Sequence, residues 1–375
     1  MQVLRVVGAV LGGALVVLTA LSVLRALVIP RARPGGVTRA VDAGLDALFG
    51  FPLRWTRDYD DRDRIRAGQP AAFLVAILAV WLGGFLLGYA LLLWPWTGTL
   101  AAAADEAGSS MLTLGFVTTH TAGPQVIDLL TAATGLVVVA VQIAYLPTLY
   151  AAFNRRETDV TLLGSRAGSP PWGPELLART RYGIRPRGDD LPEFYAQWER
   201  WAADVAESHA NYPVLVRFRS PQPHSSWLVG LVAVMDSAAL LLALAPSRET
   251  IEPRLCLRMG FTALRQIGVA LGMQVDWDPD PDAPIQLGYE DFAAAVERLV
   301  EVGFPVERSA AQAWPHFRGW RANYEQVAYG LAYRTDAVPA MWSGPRRWPA
   351  APMPPQRPPN RLPTTGADPV STPPD

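Results

Sequence analysis

Residues 71–94, AAFLVAILAVWLGGFLLGYALLLW, run for twenty-four positions without a charge. At ~1.5 Å per helical residue this is ~36 Å, more than the ~30 Å hydrocarbon core of a bilayer. The stretch predicts a transmembrane helix. Two further runs join it. Residues 6–24, VVGAVLGGALVVLTALSVL, lie between Arg5 and Arg25. They predict a first span, because the run is longer than the apolar region of a signal peptide and no convincing small-x-small cleavage site follows. Residues 126–150, VIDLLTAATGLVVVAVQIAYLPTLY, are broken only by Asp128 and predict a third. The apolar segment 227–244 carries Asp236 at its middle and is short for spanning, so it reads as a buried core helix.

Arginine placement orients these spans. All 33 basic residues are arginine, which excludes Schiff-base and P-loop lysine chemistry. None lies between Ala67 and Asn154, whereas Arg155 and Arg156 follow at once, and Arg31, Arg33, Arg39, Arg54, Arg57, Arg62, Arg64 and Arg66 precede. The positive-inside rule therefore places 31–70 and the chain after 154 in the cytoplasm, and the loop 95–125 outside. Within 31–70, Val37, Val41, Leu45 and Leu48 fall at helical spacing, and a membrane-surface helix and a solvated linker both fit.

Beyond 154 the chain mixes charges with apolar residues at spacings of three and four, in 190–211, 252–272, 289–302 and 307–332, and predicts a helical domain. The expected organisation is an N-terminal transmembrane helix (1–30), a juxtamembrane linker (31–70), a two-helix membrane module (71–152), a cytosolic helical domain (153–340) and a disordered tail (341–375). Eleven of the thirty-one residues from Pro345 onward are proline, which leaves that tail little to bury.

Chemistry is thinly provided. Cys256, the single cysteine, has no partner for an intramolecular disulfide, and His120, His209, His224 and His316 lack metal-ligand spacing. DWDPDPD (276–282) has acids at alternate positions, but lacks a glycine at the sixth place and has Leu287 at the twelfth, so it reads as an exposed turn rather than a calcium loop. No nucleophile motif surrounds a serine. The expectation is a protein without catalytic residues, metal or cofactor, and a net charge of −1 gives no argument for nucleic acid.

Between the second and third spans lies SSMLTLGFVTTHTAGP (109–124), uncharged and polar. Two uncharged helices joined by an outer loop that holds a short helix and then Thr-x-Gly-aromatic resemble the pore module of potassium channels. The resemblance covers 71–152. It implies an all-α fold of integral membrane helices with a re-entrant pore loop, beside the helical cytosolic domain. It also implies an outer helix 71–94, a pore helix 102–112 started by Asp105 and Glu106, a filter of Thr113, Leu114, Gly115, Phe116 and Val117, and an inner helix 126–150. Gly135 and Pro147 resemble gating hinges, although packing notch and helix end are equally ordinary roles for them. A homotetramer in the cell membrane, passing K+ or another monovalent cation, is the implied assembly; the ligand of the cytosolic domain is left open. Departures are Leu112 where the family has threonine, Val117 where it has a glycine of positive φ, which should strain the valine, and Thr118 where it has aspartate. The alternatives are a membrane scaffold or sensor with a degenerate loop and, less favoured, a cytosolic enzyme. The chain as a whole resembles bacterial membrane proteins built around such a pore.

Overall fold

The computed structural model describes residues 2–27, 29, 35–117, 121–180, 190–248 and 250–356. Arg31 and Arg33 of the basic segment, Thr118 and His120 of the loop, and the tail from 357 onward lie outside the described residues. Among the described residues every regular element is helical, and strand pairing is confined to two isolated bridges. The chain divides into two units, Met1–Ala151 and Ala152–Asp375. Four helices are long and apolar enough to cross a membrane: Gln2–Leu27, Tyr59–Leu93, Ala122–Ala167 and Trp227–Leu244.

In the first unit, α1 (Gln2–Leu27) packs along α4 (Gln69–Leu93). Both helices carry Gly-x-x-x-Gly, Gly8 with Gly12 and Gly84 with Gly88. Side chains of hydrogen alone let the two backbones touch: a Cβ on Gly12 would sit 2.5 Å from the Gly88 carbonyl oxygen. Such close approach is how helices pair in lipid, where no hydrophobic force brings them together. Trp81 adds a hydrogen bond from its indole nitrogen to Ser22 Oγ at 3.1 Å.

Between these helices lie α2 (Gly36–Gly50) and α3 (Tyr59–Ala67). No residue of α2 is buried, although Val41 packs against the core of the first unit. Asp58 caps α3 by accepting from the backbone N–H groups of Asp60 and Asp61. Arg66 ties α3 back to α2 through Asp46 at 2.8 Å.

α5 (Leu100–Met111) begins two residues before the expected pore helix. Thr99 caps it, its hydroxyl accepting from Ala102 N–H at 3.1 Å, and the first turn holds no acid. Asp105 and Glu106 therefore do not start the helix as expected. α6 runs from Ala122 to Ala167, well past the expected end at 150. Pro147 removes one ladder hydrogen bond without ending the helix, because the residues on either side supply the remainder.

The second unit is built around α9 (Trp227–Leu244), all eighteen residues of which are buried. α7 (Gly173–Arg179), α8 (Leu191–Asn211), α10 (Ile251–Ala270), α12 (Ala310–Ala322) and α13 (Glu325–Thr335) pack against it, and α11 (Tyr289–Glu301) closes on α7 and α12. A helix apolar all round must be enclosed, and these amphipathic neighbours do so.

Residues 341–356 differ from the expected unstructured tail. Arg346 is buried and donates to the carbonyls of Ala337, Val338 and Ser343; Met353 N–H reaches Pro339 O, and Gln356 pairs with Ser169. Proline-rich chain cannot fold on itself, but its extended backbone can be held from outside by such donors and acceptors.

Candidate functional site

α5 ends in a Schellman motif that sets the geometry of the loop. Thr113 N–H donates to Ser110 O at 3.0 Å and Leu114 N–H to Ser109 O at 2.8 Å, with Thr113 in the left-handed region at φ +55°. Gly115 follows at φ +69°, its N–H also directed at Ser109 O. Val117 is fastened differently: its N–H donates to Ser109 Oγ at 3.1 Å, and that hydroxyl donates to Val117 O at 3.3 Å. The backbone strain expected at Val117 is absent, since its φ is not positive; Thr113 carries it instead.

Every peptide group has one donor and one acceptor. Here the donors of Leu112, Thr113, Leu114, Gly115 and Val117 are all turned back onto the end of α5. Among the described residues no donor reaches the carbonyls of Thr113, Leu114, Gly115 or Phe116. The Thr113 hydroxyl donates to Leu112 O at 2.7 Å. Four successive acceptors are thus left over, while the side chains of Leu112, Leu114 and Phe116 are 58–67% exposed.

The loop is mounted on α6. Gly135 is the notch that receives the end of α5, since a Cβ there would lie 2.3 Å from Met111 O. Tyr89 of α4 and Thr134 of α6 share a hydrogen bond of 2.8 Å, and Ser110 donates to Asp128 at 3.0 Å. Pro147 lies twelve residues beyond Gly135, ~18 Å along the helix, and takes no part. The sequence reading named the loop and missed what holds it: Ser109, Ser110 and Asp128. The available signal was Asp128, a lone charge inside an apolar run, which asks for a polar partner.

The second unit holds two buried polar knots. Arg321 donates to Asp236, to Glu325 at 2.8 Å, and to the Tyr329 hydroxyl and Trp342 O at 2.7 Å each, while Tyr324 donates to Asp236 at 2.6 Å. Burial acts to lower the Arg321 pKa, and Asp236 overcomes it, so the guanidinium is held well above its ordinary value. Its three nitrogens are all engaged, and these bonds use four of its five N–H donors. In the other knot, Arg156 Nη1 lies 2.8 Å from His209 Nε2. A guanidinium only donates, so Nε2 accepts and the imidazole proton sits on Nδ1 beside Ser208 Oγ at 3.0 Å. Burial, then the adjacent Arg156, holds the His209 pKa well below the ordinary histidine range.

The acids of 276–282 form turns, with Asp278 N–H on Asp276 and Asp282 N–H on Asp280. Among the described residues no three His, Cys, Asp or Glu side chains gather in a metal-binding group. No family model, curated protein or solved structure matches the chain.

Proposed function

We propose that the protein is a potassium-channel-like membrane protein in which four copies surround a path for a monovalent cation, K+ foremost. Three helices cross the bilayer, α1, α4 and the first part of α6, and α5 re-enters from the outer side. The second unit is cytoplasmic by the arginine distribution, and α9 is its core helix rather than a fourth span. That domain stabilises or regulates the assembly.

One observation carries this reading: the loop turns the N–H donors of Thr113, Leu114, Gly115 and Val117 back onto α5 while, among the described residues, the carbonyls of Thr113 to Phe116 stay unclaimed. Carbonyl oxygens in a row are what replaces the hydration shell of a cation. Non-helical backbone at membrane depth is tolerated only when enclosed by protein or lining water, and copies around an axis supply both. The loop departs from a five-carbonyl filter at Val117, whose carbonyl is taken by Ser109. That same bond favours the second reading, a non-conducting scaffold or sensor.

The test is cation flux in proteoliposomes, K+ against Na+, with Gly115→Asp as the control for a carbonyl filter. Selective flux abolished by that change supports the channel. No flux from an intact tetramer, with K+ current gained only in Val117→Gly, supports the scaffold.

A further inference from the structure

α2 presents to its surroundings the face that a helix in water hides. Val37, Ala40, Gly44 and Leu48 recur at spacings of three and four and make one face, continued by Phe51, whose N–H still bonds to Ala47 O. All five are exposed. The charged residues Arg39, Asp42 and Asp46 fall on the opposite side, where Asp46 meets Arg66 of α3 at 2.8 Å. α2 packs against both α1 and α4: Val41 joins Ala26, Leu27 and Phe73 on the core of the first unit, and a Cβ on Gly68 would lie 3.6 Å from the Phe49 ring. The helix is thus seated at the end of one apolar span and the start of the next.

Beyond it, Pro52–Arg54 turns the chain through an exposed corner. Phe51 and Trp55 are 57% and 70% exposed and meet edge to face at 4.9 Å between ring centres, with the Arg54 guanidinium 5.9 Å over the Phe51 ring. Arg62, itself buried, donates to Leu53 O at 2.7 Å and Thr56 O at 3.0 Å, and so fixes the backbone of the corner. From Ala47 to Arg57 the only charges are Arg54 and Arg57, both exposed, while Asp58 is turned onto α3 as its cap.

We propose that this face and corner seat in the headgroup layer of the cytoplasmic leaflet and bind anionic lipid. Leu48, Phe51 and Trp55 enter among the upper acyl groups, and Arg54 and Arg57 meet lipid phosphates. Tryptophan, apolar to one side and with an N–H to give, suits that boundary, and a guanidinium matches phosphate geometry. Lipid is the occupant because α2 adjoins the surface that α1 and α4 already turn to the bilayer, and because the charge at the corner is of one sign. This inference rests on α1 and α4 being spans with 31–70 cytoplasmic, and not on conduction by the loop.

The experiment uses the full chain in phosphatidylcholine vesicles with and without phosphatidylglycerol. A fluorophore is placed on Leu48→Cys, on Arg39→Cys or, as the mark of a span, on Val75→Cys; Cys256 is fully buried and stays unlabelled. Brominated lipid should quench the label at 48 and iodide on both sides of the vesicle should not, with the reverse at 39. Omitting phosphatidylglycerol, or Arg54→Gln with Arg57→Gln, should lower the lipid quenching at 48. Quenching of 48 by iodide, or by neither agent because another copy covers it, overturns the proposal and leaves the spans standing if 75 is still quenched by lipid. Lipid quenching at 48 indifferent to both phosphatidylglycerol and the arginines overturns the anionic-lipid site. Failure of lipid to quench 75 sinks α4 as a span and the proposal with it.

Discussion

Both α4 and α9 are long and nearly uncharged, yet only 28% of the apolar window in Tyr59–Leu93 is buried against all of α9. The first unit leaves apolar side chains such as Val75 and Leu136 uncovered, and holds its helices together where glycines let backbones touch. The second wraps its apolar helix in amphipathic ones and carries a charge at the centre with its partner supplied. Apolarity thus demands removal from water and does not say whether lipid or protein performs it. Asp236 tells the two apart. A carboxylate inside a span is expensive, whereas one that meets Arg321 and Tyr324 inside a protein core is provided for.

Removing that provision should break the contrast most sharply. Arg321→Ala strands Asp236 and Glu325, and should destabilise the second unit by about 3–5 kcal/mol. Hydrogen exchange should then show α9 opening while α4 stays protected; equal protection of α9 in mutant and wild type would contradict the account. In the first unit the corresponding stress is Gly135→Ala, which places a methyl group against Met111 O and should cost about 1–3 kcal/mol of thermal stability. A mere hinge predicts altered opening with stability unchanged, so a melting curve separates notch from hinge.

Mild acid should act on the second unit through His209. His209 is buried neutral with a lowered pKa, so the unfolded chain takes up a proton that the folded one refuses. Stability falls as pH drops below the unfolded value near 6.5, by at most about 1.4 kcal/mol per pH unit, until the folded value is reached. Urea titrations of wild type and His209→Gln between pH 7.5 and 5 should diverge accordingly; parallel curves would refute it. The smallest effect belongs to the loop. Thr113→Gly relieves a β-branched residue of φ +55° and should raise stability by about 1 kcal/mol, read as a small upward shift in melting temperature. A loss there would mean that the Thr113 side chain matters more to the loop than its backbone does.

Long apolar runs made α1, α4 and α9 legible in the sequence, because each is specified by its own residues. What the sequence hid depends on distant ones. Arg321 lies 85 positions from Asp236, and nothing local marks the pair. α6 continues to Ala167 although its apolar stretch ends near 150, because a helix can persist as its surroundings change. The acids at 105 and 106 suggested a helix start, but Thr99 had the hydroxyl and the extended backbone that a cap needs. In 341–356, proline content masked Arg346, whose donors hold the extended segment in place. For the loop, Thr-x-Gly-Phe stands out, while the serines and the Asp128 carboxyl that mount it are common residue types with no motif of their own.

The meeting of Gly12 with Gly88 bears on how this chain can vary. At most packed contacts a larger residue on one side can be answered by a smaller one opposite. Here both sides are already the smallest residue there is, and the atoms that meet include main-chain ones. No exchange of volume is available, so a random library at both positions, selected for an intact first unit, should return the starting pair.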